Sequence, residues 1–305
     1  MTKRDPVEPG VDLIGVPIDF GANRRGVGMA PMAFRLAGLQ EKVQAEGISF
    51  RDLGDILVPS EGSEDARGHP ALIRRICQKL ADRVRRSLDG GRIPVTLGGD
   101  HSIAIGTVAG AARHFRARGC KMGLIWVDAH GDMNTPETSP SGNIHGMPLA
   151  VSLGEGHPEL VRLLRFWPKV EAARCALVGI RNLDQREKDN IARFGIKVFT
   201  MKEIDRRGIA AIMEEAIATA SQGSDGMHVS FDMDAVDPTV APGVGTPVPG
   251  GLSYREAHLV MELIYDSGAM SSLDVVEANP IIDVRNGTAA LGVELILSAL
   301  GKSIY

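Results

Sequence analysis

Met122-Gly123-Leu124-Ile125-Trp126-Val127 is an unbroken apolar run, and Asp128-Ala129-His130-Gly131-Asp132 follows it directly. The run lacks polar alternation, as expected of a strand covered on both faces, and such strands belong to parallel sheets flanked by helices. Those sheets bind ligands outside the carboxyl ends of their strands, which is where the polar run falls. Seven further apolar runs accompany it, at 11–16, 50–57, 93–97, 176–180, 196–199, 227–231 and 273–276. Helical patterns lie between them at 31–44, 69–88, 102–115, 184–194, 209–220, 254–265 and 288–300. Alternating strands and helices predict an α/β fold built on a mostly parallel sheet. No repeat, low-complexity tract or Pro/Ser-rich linker interrupts the 305 residues, so 1–305 reads as a single domain.

Composition narrows the function classes. A chain that is 44% hydrophobic has material for a sizeable core, which excludes global disorder. Lys+Arg 34 against Asp+Glu 38 leaves a net charge of −4, so there is no general attraction to phosphate backbones. Aromatic residues at 4% supply few platforms for stacking bases, and nucleic acid is not an expected partner. No stretch approaches the roughly 20 apolar residues of a membrane span, and the N-terminus lacks the apolar centre of a signal peptide. Cys77, Cys120 and Cys175 form neither a CxxC motif nor an even framework. A reducing, cytoplasmic location is the expectation.

The residues after three strand candidates carry the chemistry. Gly98-Gly99-Asp100-His101-Ser102 follows 93–97, and its glycines permit a sharp turn before a helix. Asp128, His130 and Asp132, at i, i+2 and i+4, share one face if the chain stays extended. Asp232 and Asp234 repeat the i, i+2 spacing after 227–231, whereas Asp237 before Pro238 reads as a turn former. Taken singly, each fragment could be cap or turn chemistry. Jointly they bring two imidazoles and four carboxylates to one sheet edge. Four carboxylates without a cation repel one another, and two divalent cations would cancel their formal charge. An oxygen and imidazole donor set without thiolate suits manganese, with zinc, iron, cobalt or nickel as alternatives. A single cation, or an acidic pocket holding none, are the simpler readings. Gly243-Val244-Gly245 with Gly250-Gly251 opens no helix at dinucleotide-binding spacing.

Several separated motifs carry a family resemblance. They are Arg25-Gly26-Val27-Gly28 with Pro31, Gly98-Gly99-Asp100-His101-Ser102, and Trp126-Val127-Asp128-Ala129-His130-Gly131-Asp132-Met133-Asn134-Thr135-Pro136. They continue with Ser141-Gly142-Asn143-Ile144-His145-Gly146, Ser230-Phe231-Asp232-Met233-Asp234, Gly245-Thr246-Pro247, Gly250-Gly251-Leu252-Ser253-Tyr254-Arg255-Glu256 and Glu277-Ala278-Asn279-Pro280. In this order they resemble the ureohydrolase family, its bacterial-type arginases in particular, over nearly the whole chain. The resemblance implies a three-layer α/β/α sandwich around an eight-stranded mostly parallel sheet. It implies two manganese ions per subunit, the first held by His101, Asp128, Asp132 and Asp232. The second would be held by His130, Asp128, Asp232 and Asp234, with Asp128 and Asp232 bridging.

The activity so implied is hydrolysis of L-arginine to L-ornithine and urea by a metal-bridging hydroxide. His145, Glu277 and Asp132 would be the catalytic residues, His145 as a proton shuttle and Glu277 as partner of the guanidinium. Asn134, Ser141 and Asn143 correspond to contacts of the substrate α-carboxylate, Asp184 and Glu187 face its α-amino group, and Thr246 lines the same pocket. Asn182-Leu183-Asp184 departs from the Asp-containing run of animal relatives. Agmatine lacks a carboxylate, so an agmatinase has no reason to carry these contacts. An agmatinase or another guanidino-substrate ureohydrolase is the runner-up, and a catalytically silent arginine-binding subunit is the alternative from a different class. The resemblance also implies a homo-oligomer, trimer or hexamer.

Overall fold

The computed structural model describes residues 10–58 and 70–302; His69 and the basic and acidic residues of the first nine positions lie outside them. All eight apolar runs form strands: β1 (Val11–Val16), β2 (Phe50–Asp55), β3 (Ile93–Gly98), β4 (Met122–Val127), β5 (Cys175–Ile180), β6 (Lys197–Thr200), β7 (Gly226–Asp232) and β8 (Met270–Val276). They make one sheet in the order β2-β1-β3-β8-β7-β4-β5-β6. Every neighbouring pair is parallel.

Alternate residues of each inner strand feed two separate cores, which explains the missing polar alternation. Val11, Leu13, Ile125, Val127, Ala176 and Val178 pack on one face against Phe34, Ile212, Val260 and Leu295. Those four belong to the helices Ala30–Leu36, Ile209–Ser221, Tyr254–Asp266 and Gly287–Ala299. Ile14, Val16, Leu124, Trp126, Cys175 and Leu177 pack on the other face against Ile76, Val108 and Leu149. Their helices are Pro70–Asp89, Ala104–Arg116 and Pro148–Leu153. The result is the three-layer α/β/α arrangement. Edge strand β2 is largely exposed and carries Arg51 and Asp52, which pair with Asp12 and Arg35. Charge on an edge strand discourages pairing with further chains.

One helical boundary needs correction. The single helix expected over 31–44 is two, Ala30–Leu36 and Leu39–Ala45, because Gly38 at φ 82° turns the chain through the left-handed region. Three short helices escape the periodicity, Pro148–Leu153, Met201–Arg207 and the single turn Pro158–Val161. The second carries a readable signal, a capping box between Thr200 and Glu203.

Close approach between layers rests on Gly123 in β4. A Cβ there would lie 1.9 Å from the Ala220 carbonyl oxygen and 2.6 Å from its carbon, backbone atoms that cannot rotate away. Gly123→Ala is therefore expected to destabilise the protein by about 1–3 kcal/mol, the usual cost of overpacking a core. Gly287→Ala serves as control, since a Cβ there meets nothing within 4 Å. Chemical denaturation of both variants checks this, and equal midpoints would contradict the packing role.

Candidate metal centre

The four central strands, β3-β8-β7-β4, deliver the acidic and imidazole groups from their carboxyl ends. After β3 the chain turns sharply at Gly99, where a Cβ would sit 2.1 Å from the Ile18 carbonyl oxygen. Asp100 then caps the turn His101–Ile103 by accepting from the Ser102 amide at 3.0 Å. Asp128 follows β4, Asp232 ends β7, and Glu277 follows β8. Asp132 and Glu277 hold positive φ angles of 51° and 64°, a strained backbone for residues with side chains.

Two donor groups overlap at one carboxylate. His101, Asp128 and Asp232 bring ligand atoms within 4.8 Å of one another, and so do Asp128, His130 and Asp234. His101 Nδ1 lies 3.3 Å from Asp128, 3.0 Å from Asp132 and 3.1 Å from Asp232. His130 Nδ1 lies 3.4 Å from Asp128 and 3.1 Å from Asp234. All six metal-ligand candidates are thus brought together. His101 Nδ1 and Asp132 Oδ2 are buried without a hydrogen-bond partner. Orphaned polar atoms facing each other in a polar pocket are what an ion-binding site looks like without its ion, so the donor set fits divalent cations.

The electrostatics agree. Burial pushes the Asp132 carboxyl up to about 6, with the neighbouring Asp128 charge adding to it. Burial and the charges of Asp234 and Asp128 raise Asp232 well above the carboxylate range. Asp128 falls the other way: burial opposes its charge, but the His101 and His130 imidazoles beside it prevail. Burial also opposes His130, yet Asp234 and Asp128 push it up to about 12. His101 is raised against burial by Asp132, Asp128 and Asp232. Protons occupy the positions that cations would take.

Glu277 sits beneath this layer, buried, with Oε1 accepting from the His101 amide at 2.8 Å and meeting His145 Nδ1 at 3.0 Å. Above it opens a cavity of about 260 Å³ whose wall includes His101, His130, Asp132, His145, Asp232 and Asp234. Asn134, Ser141, Asp184, Glu187 and Thr246 line the same cavity, whereas Asn143 is buried and lies off its wall. Asn134 donates to Asp184 at 2.9 Å, and Thr246 donates to Asp234 at 2.8 Å. Glu187 is pushed up to about 8 by burial.

Sequence reasoning missed the groups that aim these side chains. The Trp126 indole donates to Asp128 Oδ2 at 3.0 Å and stacks on His101 with ring centroids 4.2 Å apart. Its place in an apolar run reads only as core. Arg181 spans the carbonyls of Asp234, Ala235 and Val248, stitching the Asp234 loop to the end of β5. No spacing marks it. Asp237 plays the turn-forming part expected of it, accepting from Thr239, Gly250 and Gly251 amides.

Because the donors hold protons when no cation is bound, binding must release them. Apparent metal affinity should rise with pH between about 6, set by Asp132, and about 12, set by His130. Calorimetric titration of metal-stripped protein with manganese in buffers of different ionisation enthalpy measures the protons released; zero release near neutral pH would contradict the charge distribution.

Comparison with known proteins agrees with this geometry. A family model described as the arginase family matches residues 9–301. The curated arginase of Bacillus caldovelox is 48% identical over 299 residues, covering 96% of this chain and 99% of that one. That of Bacillus subtilis strain 168 is 48% identical over 297 residues, covering 96% and 98%. A crystal structure of arginase from Bacillus subtilis superposes with a TM-score of 0.92 at 48% identity, over 97% of this chain and 100% of its own. A match of that length and identity, on a fold that places the expected motifs at one sheet edge, means that the chain belongs to the arginase family.

Proposed function

We propose that this chain hydrolyses L-arginine to L-ornithine and urea, using two manganese ions held by His101, Asp128, His130, Asp132, Asp232 and Asp234. The observation that carries the reading is the pair of donor groups sharing Asp128, with Glu277 and His145 beside them. Bound there, two divalent cations would neutralise the carboxylates and supply water acidic enough to attack near neutral pH.

The chain's own residues do the rest. A guanidinium is resonance-stabilised and a poor electrophile, so placement matters as much as the nucleophile. Glu277 offers a carboxylate, kept ionised against burial by His145 and by the His101 amide, as the planar partner for that group. His145 is raised to about 9, against burial, by Glu277, and so holds a proton at neutral pH. Hydrolysis breaks the bond between the guanidinium carbon and the side-chain nitrogen. The departing amine needs a proton, and His145 on the cavity wall is placed to give one. Asn134, Ser141 and Asn143 would recognise the α-carboxylate, and Asp184 and Glu187 the α-ammonium, with Thr246 lining the same cavity. Asn143 would have to reach the substrate through its backbone or a small rearrangement, since it is buried. On this reading the protein works in the cytoplasm as a one-domain subunit of a trimer or hexamer. Among the described residues no helix is long and apolar enough to cross a membrane.

Urea release from equal concentrations of arginine and agmatine by manganese-loaded protein tests the substrate. Arginine should be strongly preferred, and preference for agmatine would replace this reading with the agmatinase one. Binding of arginine without urea release would point to a silent subunit. Glu277→Gln should lower kcat/KM for arginine by about 2–5 kcal/mol, roughly 30- to several-thousand-fold, the cost of removing one partner of a buried charge pair. Metal content by elemental analysis should stay near that of the parent protein. Full activity in the variant would remove the guanidinium role.

A further inference from the structure

A buried polar network lies behind the metal centre. Ser230 of β7 lies opposite Asp274 of β8, and His228 lies opposite Ser272. All four are 0–1% exposed, as is Thr107. Asp274 Oδ1 is 2.5 Å from Ser230 Oγ, and Oδ2 is 2.9 Å from His228 Nε2 and bonded by the Thr107 hydroxyl. Ser230 Oγ in turn lies 2.8 Å from His101 Nε2. Taking a side chain as polar as Asp274 fully out of water is costly unless its oxygens are satisfied, and here both are.

Burial opposes ionisation of Asp274, but His228 and Ser230 hold its carboxyl below the usual range, so it accepts and does not donate. Ser230 has one hydroxyl hydrogen, and Asp274 takes it. Ser230 can then only accept from the imidazole, which requires the proton of His101 to reside on Nε2. Nδ1 is left as the ring atom that can give up its proton to an incoming cation, and Nδ1 is the atom facing Asp128, Asp132 and Asp232.

We infer that Asp274 is a positioning residue for the metal centre, acting through Ser230 to hold a proton on His101 Nε2 so that Nδ1 is presented as a ligand. This rests on the reading of His101 as a metal ligand. A carboxylate supporting a ligating imidazole through an intermediate group orients the ring and raises its basicity, and loss of such a partner typically weakens metal affinity about 10–100-fold. Thr107 and His228 also donate to Asp274, but neither touches His101, so they anchor the carboxylate without setting the imidazole's proton.

The experiment uses metal-stripped full-length protein and two readouts. Manganese affinity is measured by titration calorimetry, and the His101 Nε2 proton by NMR of protein labelled with nitrogen-15 at histidine. Asp274→Leu, similar in shape but without an acceptor, should bind manganese about 10–100-fold more weakly. It should also lack the slowly exchanging Nε2 proton expected of the parent protein, and absence of that signal from the parent would itself overturn the inference. Should that variant fail to fold, Ser230→Ala, which leaves Asp274 bonded to Thr107 and His228, is expected to show the same loss of affinity. Thr107→Val removes a comparable buried bond to Asp274 but should keep both the Nε2 proton and near-parental affinity. A merely structural role for Asp274 would move Thr107→Val along with the others, which would overturn the inference. So would parental affinity in Ser230→Ala, or an intact Nε2 proton in folded Asp274→Leu. Asp128→Asn is the benchmark: if it too leaves manganese affinity unchanged, the metal-centre reading fails; if it alone weakens binding, only the role of Asp274 does.

Discussion

Asp128, Asp132, Asp232 and Asp234 are gathered with almost no exposure to solvent, and they cannot all be ionised there without positive charge among them. Much of the surrounding architecture answers that repulsion. The imidazoles of His101 and His130 lie between the carboxylates, and Arg181 stands behind the Asp234 loop, bound only to carbonyl oxygens. Main-chain amides do part of the work as well: His130 donates to Asp128 at 2.6 Å and Asp234 to Asp232 at 2.7 Å. What remains uncompensated is the affinity of the site for cations.

The sheet order makes this concentration of charge feasible. Strands β3, β8, β7 and β4 lie side by side, so four loops distant in sequence end at one edge of a rigid layer. Two of these loops open on a turn capped by their own first carboxylate, Asp100 after β3 and Asp232 at the end of β7. Two dry cores hold the sheet from either side, and the loops gain their precision from strands that cannot shift without disturbing both.

How much of this could be read in advance differs by scale. The strands were legible because burial on both faces leaves an uninterrupted apolar run, as at Met122–Val127. The break at Gly38 was not, since Leu36-Ala37-Gly38-Leu39 keeps a helical period across it. The six ligand candidates stood out jointly, because two imidazoles and four carboxylates after three strands exceed what caps and turns require. Trp126, Ser230 and Asp274 did not, because a polar atom facing into a sheet means nothing until its register partner is known. Family likeness supplied the roles of Glu277 and His145, which their local sequence leaves undetermined. It did not foresee that Glu277 lies under the cavity and Asn143 off its wall.

Asp132 and Glu277 are both held in a backbone region that favours glycine and, to a lesser degree, asparagine. Such torsional tension costs on the order of 1–3 kcal/mol at each position, and on the proposed function it is carried by two side chains whose charge a relaxed residue would not replace. Rigidity and turnover therefore make opposite demands on the same two codons. Selection for heat resistance has room to act on caps, edges and helix surfaces, while the wall and the floor of the cavity would stay under load.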